Sequence, residues 1–462
     1  GLSFPNVSIG NPVMCYSEHR FRLKACRNDI VLAETMIKAQ KSYDRDKMTA
    51  ATIRSQINNL SKEQSLLILV ARLRLSLAEK AHFKALLSRN PDWPGLLEQA
   101  VDFGVAGLFY KYLRENQLIR FVPEKVFKEL GREYGRIALK NLRIRGQINQ
   151  VLQLLNERQM DALVLKGGYL ANHFYPDMAL RPMSDIDLLC KKHDIAEVAD
   201  ILVQNGYKWE DAVFQSPAHE LAFWERNQHL PPFKKAGHVP VEIHFQLFAD
   251  HPAAKDLSDT WAFAASVSGP NGGRIYRLLP TYQLLFLTYH LYLHFRKSER
   301  RFPLYWFVDI HEWVCRFGEK IDWEWLFHAS SRLLLHQEIG KIFRTLKNYW
   351  HTPFPETVWY LFLDASSYDM PADFFGRDKA ITDAEIQKKT YIKSNIEKIS
   401  RQYTKYGTAA AVYLFFRFLF PDRAWLIREY PMKRPLSRVG YCIVHHFSIL
   451  KKLFLSLGYS RR

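Results

Sequence analysis

Leu163-Val-Leu-Lys-Gly-Gly-Tyr-Leu-Ala171 and, after a short gap, Arg181-Pro-Met-Ser-Asp-Ile-Asp-Leu-Leu-Cys190 decide how this chain is read. In the first stretch an apolar, strand-like run ends in Lys166-Gly167-Gly168. In the second, Asp185 and Asp187 stand two residues apart, a spacing that puts both side chains on one face of a strand. A pair of carboxylates beside a glycine turn is a candidate site for a divalent metal and a phosphate.

Working outward, Ala162 to Leu165 reads as a strand, Lys166-Gly-Gly as a tight turn, and Tyr169 to Phe174 as a short helix. Ile186 to Leu189 reads as a second strand. Asp194-Ile-Ala-Glu197 gives a capping-box-like start to a helix that stops at Gly206. Pro232 to Lys235, a turn at Ala236-Gly237-His238, and Val239 to Phe245 read as a hairpin. In its second strand Val241, Ile243 and Phe245 alternate with Glu242 and His244, so the two polar residues share one face.

Either side of this mixed segment the period is helical. Ser61-Lys-Glu-Gln64 reads as a capping box, and Asp92-Trp93 and Asp322-Trp323 read as two uses of one helix-start device. Ile148, Val151, Leu152 and Leu155 form an i, i+3, i+4, i+7 core stripe on a long helix. After Asp250 the pattern returns to helix, with Pro280 opening a segment that carries His290 and His294. The expected class is α+β: a small mixed sheet flanked by N-terminal and C-terminal helical regions. The expected divisions are 1–58, a poorly patterned extension; 59–158, helical; 159–250, the α/β core; and 251–462, helical with a basic tail.

Two carboxylates on one strand and a third on a neighbouring strand suit Mg²⁺, a hard cation that takes oxygen ligands and leaves room for water and phosphates. Asp185 and Asp187 supply the pair and Glu242 is the candidate third. Two such ions, Mg²⁺ or in their place Mn²⁺, hold a triphosphate and acidify an attacking hydroxyl. Lys166 and Arg181 are candidate phosphate partners, and Gly167 and Gly168 allow close backbone approach. Each residue also has a plainer reading. Asp-x-Asp arises by chance, Gly-Gly after a strand is often only a turn, and Glu242 is equally an outward-facing strand residue. Their order along the chain favours the joint reading.

Leu165-Lys-Gly, Tyr175-Pro, Arg181, Ser184-Asp-Ile-Asp-Leu-Leu, Asn205-Gly-Tyr207 and Val241-Glu-Ile-His244 together resemble an uncharacterised bacterial nucleotidyltransferase family within the DNA polymerase β superfamily. The resemblance runs from about Leu60 to the C-terminus. It implies a polymerase β-like core in which Asp185, Asp187 and Glu242 are the catalytic and metal-binding acids, with Glu242 as general base. It also implies transfer of NMP from an NTP, ATP among the candidates. Lys166, Gly167, Gly168, Arg181 and Ser184 are then the nucleotide-binding candidates. The superfamily's usual Gly-Ser is Lys166-Gly167-Gly168 here, and its usual third Asp is Glu242.

His290 and His294 share a helical face but have Tyr-Leu-Tyr between them, without the glutamate of a His-Glu-x-x-His zinc helix. They read either as core histidines or, with His244, Lys297 and Asp309, as substrate contacts lining a cleft. No Walker, Rossmann or Gly-x-Ser-x-Gly motif is present.

The 462 residues carry a net charge of +18, which attracts phosphate, nucleic acid or an anionic membrane. From Arg417 to Arg462 ten basic residues face two acidic ones, so nucleic acid is a candidate partner. The alternative function is therefore a catalytically inactive nucleotidyltransferase-like protein that binds nucleic acid or a partner through Lys433, Arg434 and Arg438. Five scattered cysteines without a Cys-x-x-Cys pair suit a reducing compartment. With no apolar run long enough to span a membrane and no signal peptide, a cytoplasmic location is expected. The acceptor, whether small molecule, protein or RNA, is not encoded in any of these features.

Overall fold

In the computed structural model Ala162–Val164 (β1) pairs antiparallel with Ile186–Cys190 (β2), and β2 pairs parallel with Val241–His244 (β5). The structure describes residues 60–209, 229–248, 257, 259–268, 274–297, 303–362, 443 and 446–447; for residues 209, 267–268, 274–275 and 296–297 it describes the backbone only. Residues 1–58 and nearly all of the basic tail, including Lys433, Arg434 and Arg438, lie outside the described residues.

The sheet has seven strands. Lys208–Trp209 (β3) and Phe233–Lys234 (β4) lie beyond β5, and Arg274–Leu278 (β7) and Ala264–Ser268 (β6) lie beyond β1, giving the order β3-β4-β5-β2-β1-β7-β6. The expected hairpin forms between β4 and β5, with Phe233 opposite Val241 and Gly237 at φ 74° in the turn. The β6–β7 hairpin falls where the sequence reads as helix. It adds a parallel neighbour to β1 through Leu163 and Tyr276. Its strands carry small and charged residues without clean alternation, so their pairing depends on β1 rather than on local pattern.

All of β2 is buried, which explains its nearly unbroken apolar run and makes Asp187 the exception that needs partners. The fold class is α+β: helices pack before, within and after the sheet. Lys62–Val70 (α1), Leu77–Leu87 (α2), Trp93–Asp102 (α3) and Ala106–Glu115 (α4) precede the 34-residue helix Glu124–Glu157 (α5), which delivers the chain to β1. Ser61 and Gln64 form the expected reciprocal capping box, and Asp92 and Asp322 cap their helices through the amides of Gly95 and Trp325. On α5, Ile148, Val151 and Leu155 are buried as the stripe requires.

Two buried amides on α5 brace the sheet's loops. Asn141 donates to the carbonyls of Met178 and Arg181, at 2.7 and 2.8 Å. Gln147 accepts from the Val239 amide at 3.1 Å and donates to its carbonyl at 2.8 Å. The segments that lead into β2 and β5 are thus both hung from one helix.

Lys166–Tyr169 (α6) and Ile195–Gln204 (α7) follow β1 and β2 respectively. Lys166-Gly-Gly is the first helical turn itself rather than a turn ahead of a helix, and it runs into a π-helical turn at Leu170–Phe174. Asp194 precedes α7 without a side-chain cap because a 3₁₀ turn, Lys192–Asp194, already holds it in a helical conformation.

Among the described residues the later helices are Pro280–Lys297 (α8), Tyr305–Phe317 (α9), Trp323–Arg332 (α10), His336–Trp350 (α11) and Glu356–Leu361 (α12). They pack against the early ones. Arg72, at the end of α1, donates to the carbonyls of Tyr349 and Trp350 at 2.7 and 3.0 Å, and Trp350 Nε1 donates to Ala71 at 2.6 Å. Leu304 takes the Phe103 carbonyl at 3.0 Å. The two helical flanks therefore share one core. Among the described residues no helix is long and apolar enough to cross a membrane.

Candidate active site

Asp187 stands directly opposite Glu242 across the parallel β2–β5 pair, so both carboxylates leave the same face of the sheet. His244, two residues on along β5, leaves that face too. Asp187, Glu242 and His244 each offer a ligating atom within 4.8 Å of the others. Asp185 sits just before β2 and is not in this tight group, though its charge couples to both Asp187 and Glu242. Ser184 is exposed beside it.

One oxygen of Asp187 holds the centre together. Oδ1 accepts from Lys166 Nζ at 2.7 Å and lies 2.8 Å from His244 Nε2. Burial alone would raise the Asp187 carboxyl, but Lys166 and then His244 outweigh it and hold the group ionised, well below the usual carboxylate range. An ionised carboxylate only accepts, so His244 Nε2 carries the proton and donates. Burial takes the His244 imidazole down to about 4, which keeps it neutral, and its Nδ1 is buried without a hydrogen-bond partner.

The other acids respond in the opposite direction. Burial and the charge of Asp187 raise both Asp185 and Glu242, against the opposing pull of Lys166. Lys166 is itself raised: burial lowers it, and Asp187, Glu242 and Asp185 more than compensate. One ammonium thus faces three crowded carboxylates. Its backbone takes φ 43°, a left-handed conformation that favours glycine.

Arg181 and Asp309 are brought together with each other. Arg181 Nη2 and Nε reach Asp309 Oδ2 at 2.8 and 3.1 Å, and Tyr175 donates to Asp309 Oδ1 at 2.7 Å. The guanidinium lies 4.3 Å from the centroid of the Tyr305 ring, which in turn fills the space beside Gly104. Burial would lower Arg181, but Asp309 raises it; burial raises Asp309, against the pull of Arg181. A Cβ on Gly167 would come within 2.8 Å of Arg181 Nη1. The buried pair thus forms the floor under the Lys166-Gly167 turn. A Cβ on Gly168 would meet Val164 at 2.8 Å, so this second glycine packs α6 onto β1.

His290 and His294 lie on one face of α8, with their Nε2 atoms 3.2 Å apart and both rings against Trp306. Burial lowers His290 well below its ordinary value, with Lys166 and His294 adding to the effect, so it faces the carboxylate centre as a neutral ring. The side chain of Lys297 lies outside the described residues.

Sequence reasoning missed His229, which forms a backbone bridge to His244, tilts its ring against that of His244 at 5.0 Å, and places Nε2 3.9 Å from Glu242 Oε2. It also missed Tyr305 and Trp306. A lone histidine after a polar interval carries no spacing signal, and aromatic residues in an aromatic-rich helix look like core.

Residues 89–351, more than half of the chain, match a family profile described as an uncharacterised nucleotidyltransferase. No curated protein and no solved structure matches the chain. The matched span contains β1, β2, β5 and every carboxylate of the centre described above, and the chain belongs to this uncharacterised nucleotidyltransferase family.

Proposed function

We propose that the protein transfers a nucleoside monophosphate from an NTP to an acceptor hydroxyl or phosphate, in a Mg²⁺-dependent reaction that releases pyrophosphate. The observation that carries this reading is the in-register placement of Asp187 and Glu242 on adjacent parallel strands, with Asp185 coupled to both. The donor set fits a hard divalent cation. The carboxylates supply oxygen ligands, and their mutual crowding leaves negative charge that a single ammonium does not balance. His244 Nε2 is occupied as a donor to Asp187, so the imidazole orients a ligand rather than binding the ion. Asp185, Asp187 and Glu242 would hold Mg²⁺, which when bound neutralises triphosphate charge and acidifies a nearby hydroxyl.

The chain's own groups divide the remaining work. Lys166, held protonated, offers its ammonium to phosphate oxygens. Gly167 and Gly168 leave the first turn of α6 open to close approach, and the Arg181–Asp309 pair fixes that turn from behind. Glu242, raised above an ordinary carboxyl, takes the proton of an acceptor hydroxyl. The acceptor oxygen bonds to the α-phosphorus as the bond from that phosphorus to the bridging oxygen breaks, and pyrophosphate leaves with the electron pair. His290 and His294 would contact the acceptor.

Incubation with each α-labelled NTP, Mg²⁺ and cell extract should label an acceptor, and chelation with EDTA should stop it. Asp187→Asn and Asp185→Asn should abolish labelling while circular dichroism stays unchanged. Labelling retained in these variants would refute the assignment.

A further inference from the structure

A second concave site lies apart from the carboxylates. The turn after α1, helices α2 and α4, the segment from Phe174 to Leu180 and helix α9 border a half-open cavity of about 830 Å³. None of Lys166, Asp185, Asp187 and Glu242 lines it. Its volume falls in the range that holds a small-molecule ligand, roughly 300–1,000 Å³.

The wall is basic. Arg72, Arg74, Lys80, Lys111 and Arg316 line it, against two carboxylates, Glu115 and Glu312. Arg72 is spent on Glu79, at 2.6 Å, and Lys111 lies 3.7 Å from Glu115. Among the described residues Arg74, Lys80 and Arg316 have no carboxylate partner. Glu312 is turned to structural use: its Oε1 accepts the Leu73 amide at 2.7 Å.

Tyr112 lines the same cavity beside these cations, with its hydroxyl buried away from solvent. Arg316 lies over Phe174, 5.3 Å from the ring centroid, and donates to the Phe174 carbonyl at 3.2 Å, which holds the guanidinium against that segment. Exposed cations without carboxylate partners, gathered in one concave wall with apolar patches, match a phosphorylated small molecule. An extended nucleic-acid backbone would instead call for a stripe of cations along an open surface.

We propose that this cavity is a binding site for a phosphorylated small molecule, separate from the carboxylate centre. Phe174 ends the π-helical turn that begins after Lys166-Gly-Gly, and α9 carries both Arg316 and Asp309. An occupant therefore touches the two elements that hold the Lys166 turn, which gives it a direct route to influence that turn. The proposal does not rest on nucleotide transfer, and either reading can fail without the other.

The test is calorimetric titration of the full chain with inorganic pyrophosphate in EDTA, where divalent ions make no contribution. Saturable one-site binding is expected. Arg74→Glu/Lys80→Glu should weaken it about tenfold or more, and Asp187→Asn not at all. Lys128→Glu, an exposed charge reversal on α5, is the control for diffuse attraction to a basic protein and should leave affinity unchanged. Absence of saturable binding, indifference to the Arg74/Lys80 reversal, loss in Asp187→Asn, or equal weakening by Lys128→Glu would each overturn the proposal.

Discussion

Lys166 places its ammonium 2.7 Å from Asp187 Oδ1 while its own backbone sits at φ 43°. The chain accepts an unfavourable backbone there to bring a cation onto a buried carboxylate. Lys166→Met removes the cation and keeps the strain, and should cost roughly 2–3 kcal/mol, less than a fully buried pair because the lysine is partly exposed. Lys166→Gly should cost about 1 kcal/mol less than that, since glycine accepts the left-handed conformation. Urea denaturation of the two variants measures the difference. If the two lose equal stability, the backbone at this turn is not strained.

Glu242→Gln keeps the shape of β5 and removes the proposed base. The transfer rate should fall by about 10²–10⁴-fold with little change in thermal midpoint. Single-turnover kinetics on labelled NTP would read the loss, and a fall confined to the apparent affinity for NTP would point to ligand holding instead.

Gly167→Ala should destabilise the protein by about 1–3 kcal/mol, because the new methyl group meets Arg181 Nη1 at 2.8 Å and Asp309 prevents the guanidinium from moving aside. Gly135→Ala, where nothing lies within 4 Å and the residue is in α5, should stabilise slightly. Thermal denaturation of the pair separates the steric effect from the general effect of replacing glycine.

Asp309→Asn and Arg181→Met each leave one buried partner uncompensated and should cost roughly 3–5 kcal/mol. The double variant should lose much less than the sum, because the two residues act as one unit. Additive losses in a double-mutant cycle would mean that each side chain has independent work to do.

The Arg72–Glu79 pair, at 2.6 Å, ties α2 to the end of α1 and, through Arg72, to α11. Burial raises the Glu79 carboxyl, but Arg72 and the hydrogen bonds from Ser76 leave it net lowered. A lowered carboxyl contributes stability above its unfolded value of about 4.3, and that contribution is lost as pH falls through the folded value. Glu79→Gln should therefore cost roughly 3–5 kcal/mol at neutral pH. The gap to wild type should narrow as pH falls below about 4, which denaturation midpoints across a pH series would follow.

Much of the centre was legible in the chain because strand periodicity is local. Asp187 on β2, and Glu242 with His244 on β5, follow from apolar alternation and the turn at Gly237. The α5 stripe and the caps at Ser61, Asp92 and Asp322 follow from helical spacing in the same way. A residue's own neighbours in sequence set these features, so their pattern survives in the sequence.

What tertiary structure alone decided is which long-range partners meet. Nothing in the spacing says that Asp187 and Glu242 share a register, that Asp185 falls just outside the tight group, or that His229 returns to β5. Arg181 and Asp309 both looked like ligands for substrate, yet they are 128 residues apart and satisfy each other. The β6–β7 hairpin, and the core shared by early and late helices, likewise arise from packing. Buried charges and unpaired strand edges take whichever complementary group the fold brings near, and that choice depends on distances that one-dimensional order does not contain.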